Sequence, residues 1–302
     1  MKMLTPLSCH LPTLPRLLLA VLALMLAGSV APTASAANGV NLQPAYYNNG
    51  YPNFGWSLMK SKGNIRSLRI EVDTSRVDVW AAKFYIDQAK ANGYNDIIVT
   101  FHQYGGSDNY NDLQTAANWW KNNYSKLGGG FKINLCNEWG SHNLSASAYA
   151  SAYNAAISTV RSVYSGTIVM DIPGWGQETL VAYNAFKTSS PRVNDGNVIV
   201  STHIYPGNWN QARNHVYNTT DMANDLGNIG KTILVGEFGT GPGSCDWSGC
   251  VNYAKSRGWT VMAWCWNGDG GSLNMVSPSW ASQAWSDTYS TNSYFNTVYP
   301  KL

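Results

Sequence analysis

Eight short apolar runs alternate with helix-like segments along this chain of 302 residues, and the alternation predicts a (β/α)8 barrel in a single domain. The runs are rich in Ile, Val and Leu, as expected of strands buried on both faces of a parallel sheet. A doubly wound open sheet would show the same alternation, but no glycine-rich phosphate turn follows the first run. The runs occupy residues 39–43, 67–72, 96–102, 132–138, 167–172, 197–205, 232–238 and 260–266.

Three of the connecting segments have clear helical signatures. Residues 77–93 carry apolar side chains at three- and four-residue spacing and end at Gly93, a residue type common at helix C-termini. Residues 112–130 show the same spacing, and residues 145–166 begin at Ser145, a good N-cap. We expect these helices to cover the outside of the barrel.

The first 36 residues are organised like a secretory signal peptide. Lys2 and Arg16 precede an apolar run that is too short to span a bilayer comfortably, and a small-residue cleavage pattern ends at Ala36. No later segment is long and apolar enough for a membrane helix. We therefore predict a secreted protein whose folded domain comprises residues 37–302.

The composition suits a neutral ligand. Charged residues make up 12% of the chain, and removal of Lys2 and Arg16 lowers the formal net charge from +3 to +1. Without a basic cluster, a nucleic-acid or anionic membrane partner is not expected. The 13 tryptophans and 18 tyrosines suit a hydroxyl-rich ligand such as a polysaccharide, although low charge is also common among exported proteins.

Four cysteines follow the predicted leader. Cys245 and Cys250 bracket four residues and could close a small disulfide loop in an oxidising compartment. Cys136 and Cys265 lie within apolar runs, where cysteine behaves as a small buried side chain. Their spacing does not match a zinc ligand set, so we expect no metal.

The active site of a (β/α)8 barrel lies at the carboxyl ends of its strands. The chain has only four glutamates, and two of them, Glu138 and Glu237, end the fourth and seventh runs. Glu71 also lies at the end of a run and is a weaker candidate, because its neighbours lack a comparable motif. The other polar and aromatic residues at these ends are Arg69, His102, Asn137, His203, Tyr205, Trp264 and Trp266.

Two carboxyl groups that face each other across a cleft can cleave a glycosidic bond, with one protonated and the other ionised. Asn137 could hydrogen-bond the 2-hydroxyl of the sugar, a contact that strengthens in the transition state. Tyr205 and Arg69 could donate to Glu237 and keep it anionic. Trp264 offers a flat face for a sugar ring. The pair therefore predicts a glycosidase.

Each of these residues also has a structural explanation when it is taken alone. An Asn-Glu pair is common at caps and surfaces, and histidines are often core or loop residues. Trp264 and Trp266 lie two residues apart within one strand, and one of them is expected to fill the barrel. The combination of these residues at the ends of ordered strands is what favours a catalytic site.

These motifs resemble glycoside hydrolase family 5 of clan A. "INLCNEW" resembles the acid/base strand of that family, "THIY" its His-x-Tyr strand, "LVGEFG" its nucleophile strand and "VMAWCWNG" its last strand. The resemblance implies retaining hydrolysis without a cofactor, with Glu138 as acid/base and Glu237 as nucleophile. Their carboxyl groups should then lie about 5 to 5.5 Å apart. It implies substrate-binding or supporting roles for Arg69, His102, Asn137, His203, Tyr205 and Trp264.

Within the family, the sequence most resembles bacterial endo-β-1,4-mannanases. The similarity lies in "MDIPGWGQ", which contains Trp175, and in the Trp264-x-Trp266 ending of the last strand. Trp139, next to Glu138, is expected to wall the site. Gln103 stands where those mannanases typically carry an acidic residue. An endo-β-1,4-glucanase is therefore an alternative, and a non-catalytic carbohydrate-binding barrel is a remote one. We expect a monomer.

Overall fold

The computed structural model describes Met1, residues 37–47 and residues 50–302. The predicted signal peptide therefore lies outside the described residues, apart from Met1. Within the described part of the chain, no helix combines the length and the apolar character needed to cross a membrane.

Eight parallel strands close into a barrel, which confirms the predicted (β/α)8 fold. Neighbouring strands follow the chain order around the barrel, and the last strand pairs with the first. The strands are β1 (Gly39–Leu42), β2 (Ser67–Val72), β3 (Asp96–Phe101), β4 (Lys132–Asn134), β5 (Ile168–Asp171), β6 (Val198–Ile204), β7 (Thr232–Phe238) and β8 (Thr260–Asn267).

The helices cover the barrel, and their ends are set by local capping. Asp78 accepts hydrogen bonds from the backbone N–H groups of Trp80 and Ala81, and Ser145 accepts one from Ala148, as its N-cap position predicts. The helices are α1 (Trp56–Lys60), α2 (Val79–Ala91), α3 (Tyr110–Leu127), α4 (Ala146–Arg161), α5 (Thr179–Lys187), α6 (Thr219–Asn224), α7 (Trp247–Ser256) and α8 (Ser293–Val298).

The inside of the barrel is layered by polarity. Because side chains alternate along a strand, every second residue points inward. One end of the interior is filled by an apolar cluster of Ile98, Val169, Ile199, Leu234 and Met262. Toward the carboxyl ends of the strands, the next inward-pointing residues are polar and fully buried. They include Asn41, Arg69, Thr100, Asn134, Asp171 and Ser201.

A glycine allows two of the site residues to lie side by side. The register between β6 and β7 shifts by one residue, so that His203 is paired with Glu237. Gly236 occupies the shift, and a Cβ atom there would lie 2.3 Å from Oγ of Ser201 and 3.0 Å from Nε2 of His203. A larger residue at 236 would therefore displace the imidazole from its place beside Glu237.

The four cysteines after residue 36 are all buried and free in the structure. Cys136 and Cys265 are fully buried among apolar residues, as predicted. The thiols of Cys245 and Cys250 interact by a hydrogen bond, which raises the pKa of Cys250. The disulfide between these two residues is not formed in the structure, and it stays a prediction for the exported protein.

Candidate active site

An open cleft of about 410 Å³ lies at the carboxyl ends of the strands. Loops that follow β1 to β4 line it, and its walls include Tyr46, Asp73, His102, Tyr104 and Glu138. Polar and aromatic side chains thus meet where the fold predicts an active site.

Glu138 reaches the cleft through an unusual backbone turn. The regular part of β4 ends at Asn134, but the N–H of Asn137 still bonds to the carbonyl of Phe101 at 2.8 Å. Glu138 then adopts a φ of 50°, a left-handed conformation that is uncommon for a residue other than glycine. Its N–H donates to Oδ2 of Asp171 at 3.1 Å, which fixes the turn. Such strain is concentrated at functional sites.

Glu237 lies near the end of β7 and accepts two hydrogen bonds. Nη1 of Arg69 donates to its Oε1 at 2.8 Å, and the hydroxyl of Tyr205 donates to its Oε2 at 2.8 Å. A cation and a phenol that both donate to one carboxylate stabilise its negative charge. The predicted neighbours of Glu237 are therefore brought into contact with it.

His203 connects the two glutamates. Its Nδ1 lies 2.7 Å from Oε1 of Glu138 and 3.6 Å from Oε1 of Glu237. One carboxylate oxygen of Glu138 and one of Glu237 lie within 4.8 Å of each other. This close approach of one oxygen from each residue is compatible with the separation of about 5 to 5.5 Å between the carboxyl groups of retaining glycosidases.

Arg69 is the centre of the buried hydrogen-bond network. Burial alone would lower its pKa, but the nearby acidic groups, among them Asp171 and Glu237, raise it, so the side chain is a permanent cation. Removal of such a cation would leave several acceptors buried without a donor. Its guanidinium donates to Oδ1 of Asn134 and Asn41 (2.9 Å each), Oδ1 of Asn137 (2.6 Å), Oδ2 of Asp171 (3.3 Å), Glu237 and Glu71.

The environments of Glu138, Asp171 and His203 shift the pKa values of these side chains in different directions. Burial raises the pKa of Glu138, and the charge of Glu237 raises it further. Burial would also raise the pKa of Asp171, but the imidazolium of His203 and the guanidinium of Arg69 hold it below its ordinary range. Burial would lower the pKa of His203, but Glu237 and Asp171 raise it well above its ordinary value. Although the hydrogen bond with His203 lowers the pKa of Glu138 in part, Glu138 holds a proton more readily than Asp171 does.

His102 and Trp264 form an aromatic pair beside this network. Their ring centroids are 6.3 Å apart and the planes differ by 21°, so the rings are stacked. Burial lowers the pKa of His102 to about 4, so its imidazole is neutral near pH 6. The indole Nε1 of Trp264 donates to Asp269 at 3.1 Å, and only 8% of the residue is exposed. Trp264 thus offers the cleft an edge of its ring more than a broad face.

Trp175 is the exposed tryptophan of the predicted set, with 42% of its surface accessible. It lies in a turn, Pro173–Gly176, in which Gly174, Trp175 and Gly176 have positive φ values of 65°, 54° and 80°. Its ring lies against Gly106, where a Cβ atom would approach Cζ2 to 2.3 Å. The neighbouring Gly105 borders the carboxyl group of Glu138, so Trp175 extends the cleft on the Glu138 side.

Two predicted cleft residues lie elsewhere. Trp139 is 1% exposed, and its ring packs against Tyr153 on α4 with the centroids 5.8 Å apart. Its prediction as a wall of the site is corrected: the left-handed turn at Glu138 directs the next side chain back under the helices. Trp266 is fully buried, and its Nε1 donates to the carbonyl of Phe54 at 3.0 Å. It serves packing and not the cleft.

Sequence reasoning missed Asp171 and underrated Glu71. Asp171 ends β5, and the same rule that selected Glu138 and Glu237 would have selected it. Glu71 was set aside because its neighbours carry no recognisable motif, yet it is buried against Arg69. Both belong to the network that holds the two cleft carboxylates.

Glu138, His203 and Glu237 have the spacing of a possible metal-ligand group among the described residues. In the structure Nδ1 of His203 and Oε1 of Glu138 bond to each other, and both oxygens of Glu237 accept hydrogen bonds. The expectation that no metal is needed stays a prediction.

A family model described as cellulase (glycosyl hydrolase family 5) matches residues 86–270. The match covers more than half of the chain, and the protein belongs to glycosyl hydrolase family 5. The predicted resemblance to this family is confirmed.

Particular members of the family are similar over most of the barrel. Beta-mannanase/endoglucanase A of Caldicellulosiruptor saccharolyticus is 27% identical over 231 residues, which are 68% of this chain and 16% of that protein. Mannan endo-1,4-beta-mannosidase of Streptomyces lividans is 29% identical over 207 residues, 63% of this chain and 51% of that protein. This chain thus spans about half or less of the length of these relatives.

Among solved structures, a beta-mannanase from Thermomonospora fusca aligns with a TM-score of 0.69 and 21% identity, over 88% of each chain. At this level of identity the likeness establishes the shared barrel fold.

Proposed function

We propose that the protein is a retaining endo-β-1,4-mannanase that hydrolyses internal mannosidic bonds of mannan, galactomannan or glucomannan. The observation that carries the proposal is the pair of carboxyl groups of Glu138 and Glu237, with oxygens within 4.8 Å of each other at the mouth of the barrel. Family membership supports glycoside hydrolysis, and the short separation supports double displacement with retention.

In the first step, Oε of the ionised Glu237 attacks the anomeric carbon, and the bond from that carbon to the leaving oxygen breaks. Glu138 donates its proton to the leaving oxygen. Oε1 of Glu138 is bonded to His203, so Oε2, which lies beside Gly105 and accepts only a long bond of 3.4 Å from Nδ2 of Asn137, is the oxygen proposed to face the substrate. In the second step, Glu138 takes a proton from water, which displaces Glu237 from the anomeric carbon.

The remaining residues of the network support this chemistry. Arg69 and Tyr205 hold Glu237 as an anion aimed at the sugar. Arg69 also orients Asn137, whose amide can then bond the 2-hydroxyl. The protonated His203 steadies Glu138 and neutralises part of the negative charge of Asp171 and Glu237. His102 and Trp264 are proposed to contact the sugar hydroxyls and ring.

Mannan is favoured over cellulose as the substrate. Both relatives described above carry mannanase names, and the Trp175 turn belongs to the segment that resembles mannanases. A glucanase remains the second candidate, because one of those relatives is also named an endoglucanase and Gln103 departs from the mannanase pattern.

The test is an assay of the purified protein on galactomannan, glucomannan and carboxymethylcellulose. We expect reducing ends to form on the two mannans, with kcat/KM at least tenfold above that on carboxymethylcellulose. Activity on carboxymethylcellulose alone would favour the glucanase, and binding without turnover on all three would favour a non-catalytic barrel.

Trp175 provides a prediction for the substrate-binding cleft. Since it lies on the side of Glu138, where the leaving part of the chain departs, its exposed ring should stack on a sugar of that part. Trp175→Ala should raise KM on galactomannan about tenfold with little change in kcat, as loss of one aromatic contact of about 1 to 1.5 kcal/mol would do. Trp80→Ala is a matched control, because Trp80 is 58% exposed on α2. A normal KM for the Trp175 variant would remove it from the cleft.

We further propose that the protein is exported as a monomer after cleavage at Ala36, and that the Cys245–Cys250 disulfide forms outside the cell. N-terminal sequencing and the intact mass of the protein from the culture medium test both statements. A start at residue 1, or four alkylatable thiols, would contradict them.

A further inference from the structure

Glu71 is a third glutamate at the site, and the proposed mechanism does not use it. It is fully buried beneath the cleft. Its Oε1 accepts from Nη1 of Arg69, the same nitrogen that donates to Glu237. Its Oε2 has no hydrogen-bond donor, and Nε2 of His102 lies 3.6 Å from it. A buried carboxylate oxygen without a donor would be costly if it were charged.

The charges around Glu71 balance without a contribution from it. Arg69 and His203 are cations, and Asp171 and the attacking Glu237 are anions, so the four groups sum to zero. An ionised Glu71 would add an uncompensated negative charge beside Glu237. Two further titratable neighbours, Tyr46 and the thiol of Cys265, are neutral and offer no compensation, and Asp73 and Arg76 beyond Tyr46 form an ion pair with each other.

The ring of His102 can accept a hydrogen bond from a protonated Glu71. Burial lowers the pKa of His102 to about 4, so its ring is neutral and one of its nitrogens is an acceptor. If Nε2 is that acceptor, a hydroxyl on Oε2 of Glu71 has a partner after a small side-chain rotation. Burial raises the pKa of Glu71 well above its ordinary value; the positive charge of Arg69 opposes this, and the charges of Glu237 and Asp171 add to it.

We propose that Glu71 carries a proton in the working enzyme and acts as a positioning residue. Its Oε2–H donates to Nε2 of His102, and its carbonyl oxygen accepts from Arg69. The proton on Glu71 leaves the positive charge of Arg69 to Glu237 and Asp171. The same contact fixes the tautomer of His102, with its ring N–H on Nδ1, beside Trp264 in the cleft. The kinetic consequence of this inference rests on the proposed function, whereas the protonation state does not.

Infrared difference spectroscopy tests the proton directly. In an E138Q background, which removes the other proton-holding glutamate, the carbonyl band of a buried protonated carboxylic acid should be present at pH 6 and should disappear on adding E71Q. D195N in the same background is the control, because Asp195 is a carboxylate paired with Arg161 outside the cleft. A band that survives E71Q would overturn the proposal.

The pH dependence of kcat/KM on galactomannan provides a second, independent test. The acid limb of this profile reports the group that must be ionised in the free enzyme. Glutamine at 71 has the same charge as the protonated acid, so E71Q should leave the midpoint of the limb within about 0.3 pH units of wild type. Loss of a real negative charge beside Glu237 would move the limb downward by about one unit or more, and that result would contradict the proposal.

A comparison of the E71Q and E71L variants separates a positioning role of Glu71 from simple packing. E71Q keeps an acceptor for Arg69 and a donor for His102, whereas E71L keeps neither. We expect kcat/KM of E71L to fall at least about tenfold below that of E71Q, and equal values would refute the positioning role. If E71L does not fold, the infrared measurement and the pH profile of E71Q still test the proposal. A wild-type protein inactive on all glycans would refute the proposed function and leave the infrared result as the test of Glu71.

Discussion

Replacing Glu237 by glutamine should lower kcat on galactomannan by at least about 10⁴-fold while the protein stays folded. The amide of glutamine cannot attack the anomeric carbon, so no glycosyl-enzyme can form. The side chain keeps an oxygen and almost the same shape. The amide oxygen can still accept from Arg69, its NH2 can donate to the hydroxyl of Tyr205, and Arg69 retains Asp171 as an ionic partner.

The measurement combines the turnover rate on galactomannan with the mass of the peptide that contains Glu237. Wild-type protein incubated with a slow fluorinated mannosyl donor should gain the mass of one glycosyl unit on the peptide that contains Glu237, and E237Q should gain none. D195N, which changes a carboxylate to an amide outside the cleft, should behave as wild type in both respects. If E237Q kept activity within tenfold of wild type, another residue would have to be the nucleophile.

The barrel was predictable from the sequence because strands buried on both faces must be apolar and their spacing is regular. The prediction for β4 was too long: residues 132–138 were expected and Lys132–Asn134 are found. The chain keeps isolated backbone bonds as far as Asn137, but the left-handed turn at Glu138 ends the ladder. A turn of this kind is imposed by tertiary contacts and leaves no local pattern.

One of the two tryptophans of β8 was expected to fill the barrel, and Trp266 is the one that does so. In a regular strand Trp264 and Trp266 would point to the same side. In β8, however, Ala263 pairs with Val40 and Asn267 with Leu42, so β8 has two more residues than β1 across this stretch. The irregularity turns Trp266 into the core beside Phe54. Such an insertion cannot be read from one strand, since it depends on the register of its neighbour.

The sequence did not predict the polar layer inside the barrel. Asn41, Asn134 and Asp171 sit in short apolar runs, where single polar residues do not look unusual. Their role becomes visible only when Arg69 is placed among them, because one guanidinium can satisfy several acceptors from different strands. The strand-end rule finds the cleft carboxylates, and three-dimensional packing is needed to find what holds them.

Replacing Glu138 by alanine should lower kcat on galactomannan by about 10²- to 10⁴-fold, because the leaving oxygen of a polysaccharide needs a proton. An aryl mannoside with an acidic phenol as its leaving group needs little protonation, so its first step should survive. The second step then lacks its base, and the glycosyl-enzyme should accumulate as a burst of released phenol.

Rescue by a small anion should distinguish the loss of the acid/base group in E138A from general damage to the protein. Azide needs no base, so it should attack the accumulated glycosyl-enzyme of the E138A variant, raise its turnover on the aryl mannoside and yield a mannosyl azide of β configuration. The same salt should not rescue E237Q, which forms no such intermediate. An α-configured azide would instead indicate a single displacement and contradict the retaining mechanism.

The pH profile adds a criterion that depends on the environment of Glu138. Burial raises its pKa, and the charge of Glu237 adds to this, so the proton stays on Glu138 to a higher pH than on an exposed glutamate. Wild-type kcat on galactomannan should accordingly be retained above the ordinary range of a carboxyl group and decline as the pH passes the raised value. E138A should lose this alkaline limb on the aryl mannoside. A limb that persists unchanged in E138A would assign the titrating proton to a different group and leave Glu138 without its proposed role.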